Sequence, residues 1–369
     1  MTFIPSAPTA SIRPVHGGNL VWAAAVANCS PASLVDFSAS INPLGPPESV
    51  ALALTEALGQ LRHYPDPDYA ALRRALASHH QVPADWVLPG NGAAELLTWA
   101  ARDLAEGPAA GCHLLTPAFG DYGRALAAFG VPIQPWPLSL EMGEDGTLQK
   151  AISWPDAEVA GVIINNPHNP TGRLFSIDNL KPLLDRADTV IVDEAFMDFV
   201  PPDRQQSLIV ELDRYPNLVV LRSLTKFYTL PGLRIGYALG HPDRLRRWQH
   251  WRDPWPVNAL AAAAAIASVQ DKTFQNRTWD WLPPARTALF EGLQAIPGLR
   301  PLAGAANYLL VHTTTPAPVL QEAMLRSHQV LIRDCLSFPA LGADYFRVAV
   351  RTAGENERLL TALGLAVAV

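Results

Sequence analysis

The chain alternates between short continuous apolar runs and longer stretches of helical period. Strand-type runs occur at His113 to Thr116, Gly161 to Ile164, Thr189 to Asp193 and Leu218 to Leu221, with further strand-like segments entering Gly90 and following Arg234. The runs at Ile164 and Leu221 break into polar turns at their carboxyl ends, where open α/β sheets place their ligands. Helical patterns are predicted over Leu20 to Ala27, Glu48 to Leu61, Ala70 to His80 and the amphipathic stretch behind Gly92. Beyond Pro256 come an alanine-rich helix from Asn258 to Gln270, a helix from Pro284 to Gln294, and strands at Asn307 to His312, Val330 to Arg333 and Tyr345 to Arg351. In that last strand Arg347, Ala349 and Arg351 share one face, with the small alanine leaving room between the arginines. The 369 residues suit one large α/β domain with a smaller α+β partner. The expected division is an arm over 1–45, a large domain over 46–255 and a small domain over 256–369.

The chemistry gathers around 218–240. There an apolar run delivers a polar loop, Arg222 to Thr225, that ends on Lys226, and Arg234 follows eight residues later. Desolvation and neighbouring cations lower a lysine's pKa and free its amine for reaction with a carbonyl. The arginine fork and the Ser223 hydroxyl suit a phosphate. Upstream, Gly90-Asn91-Gly92-Ala93 opens a helix whose unpaired N–H groups and dipole also suit a phosphate. The spacing is that of neither a dinucleotide fingerprint nor a P-loop. Phe119 follows a strand end and a proline, as a ring set over a flat ligand would. Asn169 lies in the Asn-Pro turn 166–172, its amide a donor suited to a phenolic oxygen. Asp193 tips a hydrophobic strand, where a carboxylate can hold a pyridine nitrogen protonated; Glu194 is expected to point to the opposite side.

In this order the parts resemble the fold-type I enzymes that use pyridoxal 5'-phosphate. From His16 to nearly the end the chain is similar to histidinol-phosphate aminotransferases and, more closely, to the threonine-phosphate decarboxylases of cobalamin synthesis, with which it shares the strings His16-Gly17-Gly18-Asn19, Asp36-Phe37-Ser38, Ile41-Asn42-Pro43-Leu44-Gly45, Arg222 to Tyr228 and Arg347 to Arg351. The resemblance implies a mostly parallel seven-stranded sheet between helices. It makes Lys226 the carrier of the cofactor and assigns Asn91, Gly92, Ala93, Phe119, Asn169, Asp193, Ser223 and Arg234 to its binding. It also implies a homodimer in which Tyr64, displayed on the extended loop that Pro65 and Pro67 fix, reaches the other subunit's cofactor phosphate. Arg347 is implied as the clamp of a substrate carboxylate. Arg333, His16, Gly17 and Asn19 are further substrate-binding candidates, and a phosphorylated amino acid is the expected substrate. The alternative activity is transamination of histidinol phosphate. Phe196 stands where those aminotransferases usually carry tyrosine, so the cofactor's phenolic oxygen is expected to lose one donor.

Composition narrows the remaining classes. A net charge of −6 and a pI near 5.9 give no footprint for nucleic acid. Three cysteines at wide spacing offer no disulfide framework, which suits a reducing cytoplasm. The ten histidines show no metal-ligand spacing. Met1 to Arg13 lacks the pattern of a secretory signal, and the apolar run from Ala259 to Val269 is too short to span a bilayer, so neither export nor a membrane is expected.

Overall fold

The structure, a computed structural model, describes residues 13–107, 111–150, 152, 154 and 159–367; the first twelve residues of the expected arm lie outside the described residues. In chain order come α1 (Leu20–Ala27), β1 (Val35–Asp36), α2 (Glu48–Ala57), α3 (Ala70–His80), β2 (Val87–Gly90), α4 (Ala93–Ala105), β3 (Cys112–Thr116), α5 (Gly120–Ala128), β4 (Ile133–Pro137), β5 (Val159–Asn165), α6 (Ile177–Arg186), β6 (Ala187–Asp193), β7 (Leu218–Ser223) and β8 (Gly236–Gly240). Seven strands form one sheet in the order β2-β8-β7-β6-β5-β3-β4. Only β8 runs against the others, in agreement with the mostly parallel sheet that the resemblance implied.

Alternation along the central strands splits their side chains between two apolar layers. Val190, Val192, Leu218 and Val220 join the layer containing α3 and α6 residues, whereas Ile191, Val219 and Leu221 join that of α4, α5 and α7 (Pro242–Trp251). Continuing this period puts Asp193 and Ser223 on one side of the sheet edge and Arg222 on the other. The fully buried Arg222 is an extension of β7 and not, as expected, part of a loop. It pairs with Glu194 at 2.9 Å and with Asp198, so the carboxylate beside Asp193 is structural.

The chain continues through α8 (Ala259–Gln270), which packs on α2 and α3, and α9 (Lys272–Gln294). Pro284 was expected near a helix start, but α9 begins twelve residues earlier. Asp271 caps it through the Phe274 N–H at 2.8 Å, and Phe274, Thr278 and Leu282 bury one stripe. That burial outweighs the donors lost at Pro283 and Pro284.

Next are β9 (Leu299–Pro301), β10 (Tyr308–Thr313), α10 (Ala317–His328), β11 (Val330–Leu331), β12 (Arg333–Asp334), β13 (Tyr345–Ala349) and α11 (Ala353–Val367). The order β12-β13-β10-β9 makes an antiparallel sheet, while β11 pairs with β1 of the arm. The run from Val330 to Arg333, read as one strand, thus changes partners at Ile332, whose carbonyl accepts from Gln321 at 2.7 Å. The last strand stops at Ala349, and Arg351 turns to Glu355 at 2.6 Å.

Candidate active site

A cavity of about 320 Å³ lies at the carboxyl ends of the large sheet and is closed on its far side by β12 and β13. Lys226, just beyond β7, lines it. Its loop is held from the arm: the Asn42 N–H donates to the Lys226 carbonyl at 3.1 Å and the Asn42 amide to Phe227 at 2.9 Å. Sequence reading placed Asn42 only in a turn, because its partners are some 185 residues away. The lysine amine has no hydrogen bond or ion pair among the described residues. Burial, then the nearby Arg347 and Arg234, lower its pKa to about 8.

One end of the cavity gathers donors that suit a phosphate. Ala93 and Ala94 bring the start of α4, whose first N–H groups lack intrahelical partners. Ser223 and Thr225 bond to each other through their hydroxyls at 2.8 Å, and Arg234 reaches in beside them. The close approach depends on glycine: at Gly92, with φ +77°, a Cβ would lie 2.8 Å from Arg234 Nη2. Asn91 does not line the cavity; its N–H donates to Glu95 at 2.6 Å. Thr225 was not singled out from the sequence.

At the other end Asp193 is buried and makes no ion pair among the described residues. Its carboxylate accepts from the Tyr122 hydroxyl at 2.8 Å and the Ala195 N–H at 2.9 Å. Burial raises its pKa against those donors. Tyr122, a further residue that sequence reading missed, also meets the edge of Phe119, whose ring lies 5.6 Å away. His16 covers Phe119 at 5.8 Å. Asn169 and Phe196 also line the cavity.

Arg347 is 8% exposed and has no ion pair among the described residues. It donates to Asn169 Oδ1 and more weakly to the Ser38 carbonyl at 3.4 Å, and its Nε is buried without a partner. Arg333 stands directly opposite it across β12 and β13 and donates to the Val15 carbonyl and the Ser337 hydroxyl. Gly17 packs where a Cβ would sit 2.3 Å from the Ser38 carbonyl oxygen. Asn19 caps α1 by accepting from Trp22 at 3.0 Å and does not line this cavity. Nor does Tyr64, which is 79% exposed and stacks on Trp255 at 4.4 Å.

These residues fit pyridoxal phosphate. An unpaired buried carboxylate matches a protonated ring nitrogen, an unpartnered amine an aldehyde, and the gathered donors a phosphate. Among the described residues no group of three or more His, Cys, Asp or Glu is placed to hold a metal, and no helix is long and apolar enough to cross a membrane. Because the neutral amine is the reactive form, cofactor uptake by the apoprotein is expected to quicken with pH and level off above about 8. Following the visible absorbance on mixing checks this, and a midpoint near the ordinary 10.5 would contradict it.

The sequence profile described as Aminotransferase class I and II matches residues 32–363, and the chain belongs to that family of pyridoxal-phosphate-dependent enzymes. Among individual relatives, the threonine-phosphate decarboxylase of Salmonella typhimurium is 43% identical over 359 residues, 94% of this chain and 95% of that protein. Histidinol-phosphate aminotransferase 2 of Ralstonia nicotianae is 31% identical over 344 residues, 91% of this chain and 90% of that protein. Of solved structures, the histidinol-phosphate aminotransferase from Clostridium acetobutylicum matches with a TM-score of 0.80 at 26% identity, covering 91% of this chain and all of that one.

Proposed function

We propose that the protein is a decarboxylase of L-threonine O-3-phosphate, a carbon–carbon lyase that releases carbon dioxide and (R)-1-amino-2-propanol O-2-phosphate for the cobalamin nucleotide loop. The observation that carries this reading is the direct register of Arg333 and Arg347. Two like charges opposite one another on a buried sheet face are unfavourable, and a substrate bearing both carboxylate and phosphate neutralises them together. Histidinol phosphate has no carboxylate. The 43% identity to the Salmonella enzyme supports the same choice.

Pyridoxal phosphate, when bound, supplies an aldehyde for the substrate amine and a ring that accepts the electrons of a bond broken at Cα. Asp193 keeps the ring nitrogen protonated. Arg347 would hold the substrate carboxylate and orient it for loss from Cα. Asn169, whose amide oxygen accepts from Arg347, would offer its N–H₂ group to the phenolic oxygen. Lys226, its pKa lowered to about 8, would hold the cofactor and carry the proton that replaces carbon dioxide at Cα. The reading includes a cytoplasmic homodimer, with the exposed Tyr64 serving the partner's site.

Incubation of the holoenzyme with threonine phosphate is expected to release one carbon dioxide per phosphoamine formed, from a species that sediments as a dimer. Absence of gas, together with 2-oxoglutarate-dependent loss of histidinol phosphate, would make the protein an aminotransferase instead.

A further inference from the structure

The gap that Ala349 leaves on the small sheet is filled from the neighbouring strand. Tyr308 opens β10, is fully buried, and pairs in register with Ala349, so it shares a face with Arg347 two residues away. Only a methyl group stands opposite it, and the Arg347 guanidinium lies over its ring, with Cζ 4.8 Å from the ring centroid. The ring's electron-rich face is thus the nearest substitute for the counter-ion that Arg347 lacks. The Tyr308 hydroxyl donates to the His168 carbonyl at 2.9 Å, gripping the turn one residue before Asn169. Asn169 in turn accepts from Arg347, which closes a ring of contacts between the two domains. Phe196, which lines the cofactor end of the cavity, meets the same tyrosine edge-on at 4.9 Å. Burial pushes the phenol pKa up, so the hydroxyl stays a donor across the working range.

We propose that Tyr308 is a positioning residue: its ring sets the angle of the Arg347 guanidinium, and its hydroxyl fixes that angle relative to Asn169 and hence to the cofactor plane. The consequence is a division of labour within one side chain. The ring governs how well a carboxylate binds, and the hydroxyl governs how well the bound carboxylate is aligned for cleavage. This rests on Arg347 being the carboxylate clamp of the proposed reaction.

The test compares Tyr308→Phe and Tyr308→Leu holoenzymes, with Tyr308→Met as a second ring-free form should the leucine variant fail to fold. Besides kcat, two binding constants are read: KM for threonine phosphate, and the inhibition constant of 1-amino-2-propanol phosphate, which lacks the carboxylate. Loss of the ring is expected to raise KM about tenfold while leaving the inhibition constant within about twofold. Tyr308→Phe is expected to keep KM and lower kcat several-fold, since only the tie to the turn is lost. Equal changes in both constants, or no change in either, would overturn the assignment by reducing Tyr308 to core packing. If the wild-type enzyme releases no carbon dioxide, the proposed reaction fails by itself. The inference is then judged on cofactor absorbance with glutamate against histidinol phosphate, and equal losses of affinity for the two would sink it.

Discussion

Replacing Lys226 by alanine is expected to lower turnover by about a thousandfold or more, because the proposed reaction uses the residue both as covalent carrier and as proton donor. The chain has four lysines, and Lys150, Lys181 and Lys272 lie at the surface or only partly covered. Borohydride treatment of the wild-type holoprotein should therefore add the cofactor's mass to the peptide carrying Lys226 alone. The alanine variant should still bind pyridoxal phosphate without a covalent link, since Ser223, Thr225, Arg234 and the start of α4 are untouched. A variant with near-normal turnover, or a wild-type label on another lysine, would remove the foundation of the mechanism.

Replacement of Arg347 by methionine is expected to move activity and stability in opposite directions. kcat/KM for a carboxylate substrate should fall about a hundredfold or more, as for loss of one partner of a buried charge pair. The apoprotein should hold or gain resistance to urea. Burial opposes the charge of Arg347, pulling its pKa below the ordinary arginine value, and no carboxylate among the described residues offsets that cost. A buried charge replaced by an apolar chain of similar length is often neutral or stabilising. A variant that lost stability along with activity would show that Arg347 is kept for folding.

Six of the seven strands were legible because burial on both faces demands uninterrupted apolar runs, and runs such as Thr189 to Asp193 show it without any partner in view; the edge strand β4, mostly exposed and carrying two prolines, shows no such run. Lys226, Asp193, Asn169 and Ser223 were legible for the same reason: each sits at the end of such a run, where a polar side chain has a limited set of uses. The small domain was harder to read. Val330 to Arg333 divides between two sheets, and α9 runs through a proline pair, because in both cases distant packing overrides the local pattern.

What the sequence determined by itself is the order of the parts and the chemistry each can perform, since hydropathy period and functional-group type are local properties. Only the tertiary structure decided their partners. It brought Asn42 to the Lys226 loop, Tyr122 to Asp193, Arg222 to Glu194, and Tyr308 beneath Arg347. These contacts span from 28 to more than 180 residues of chain. They exist because the two apolar layers and the small sheet fix the relative positions of strands whose sequences carry no record of one another.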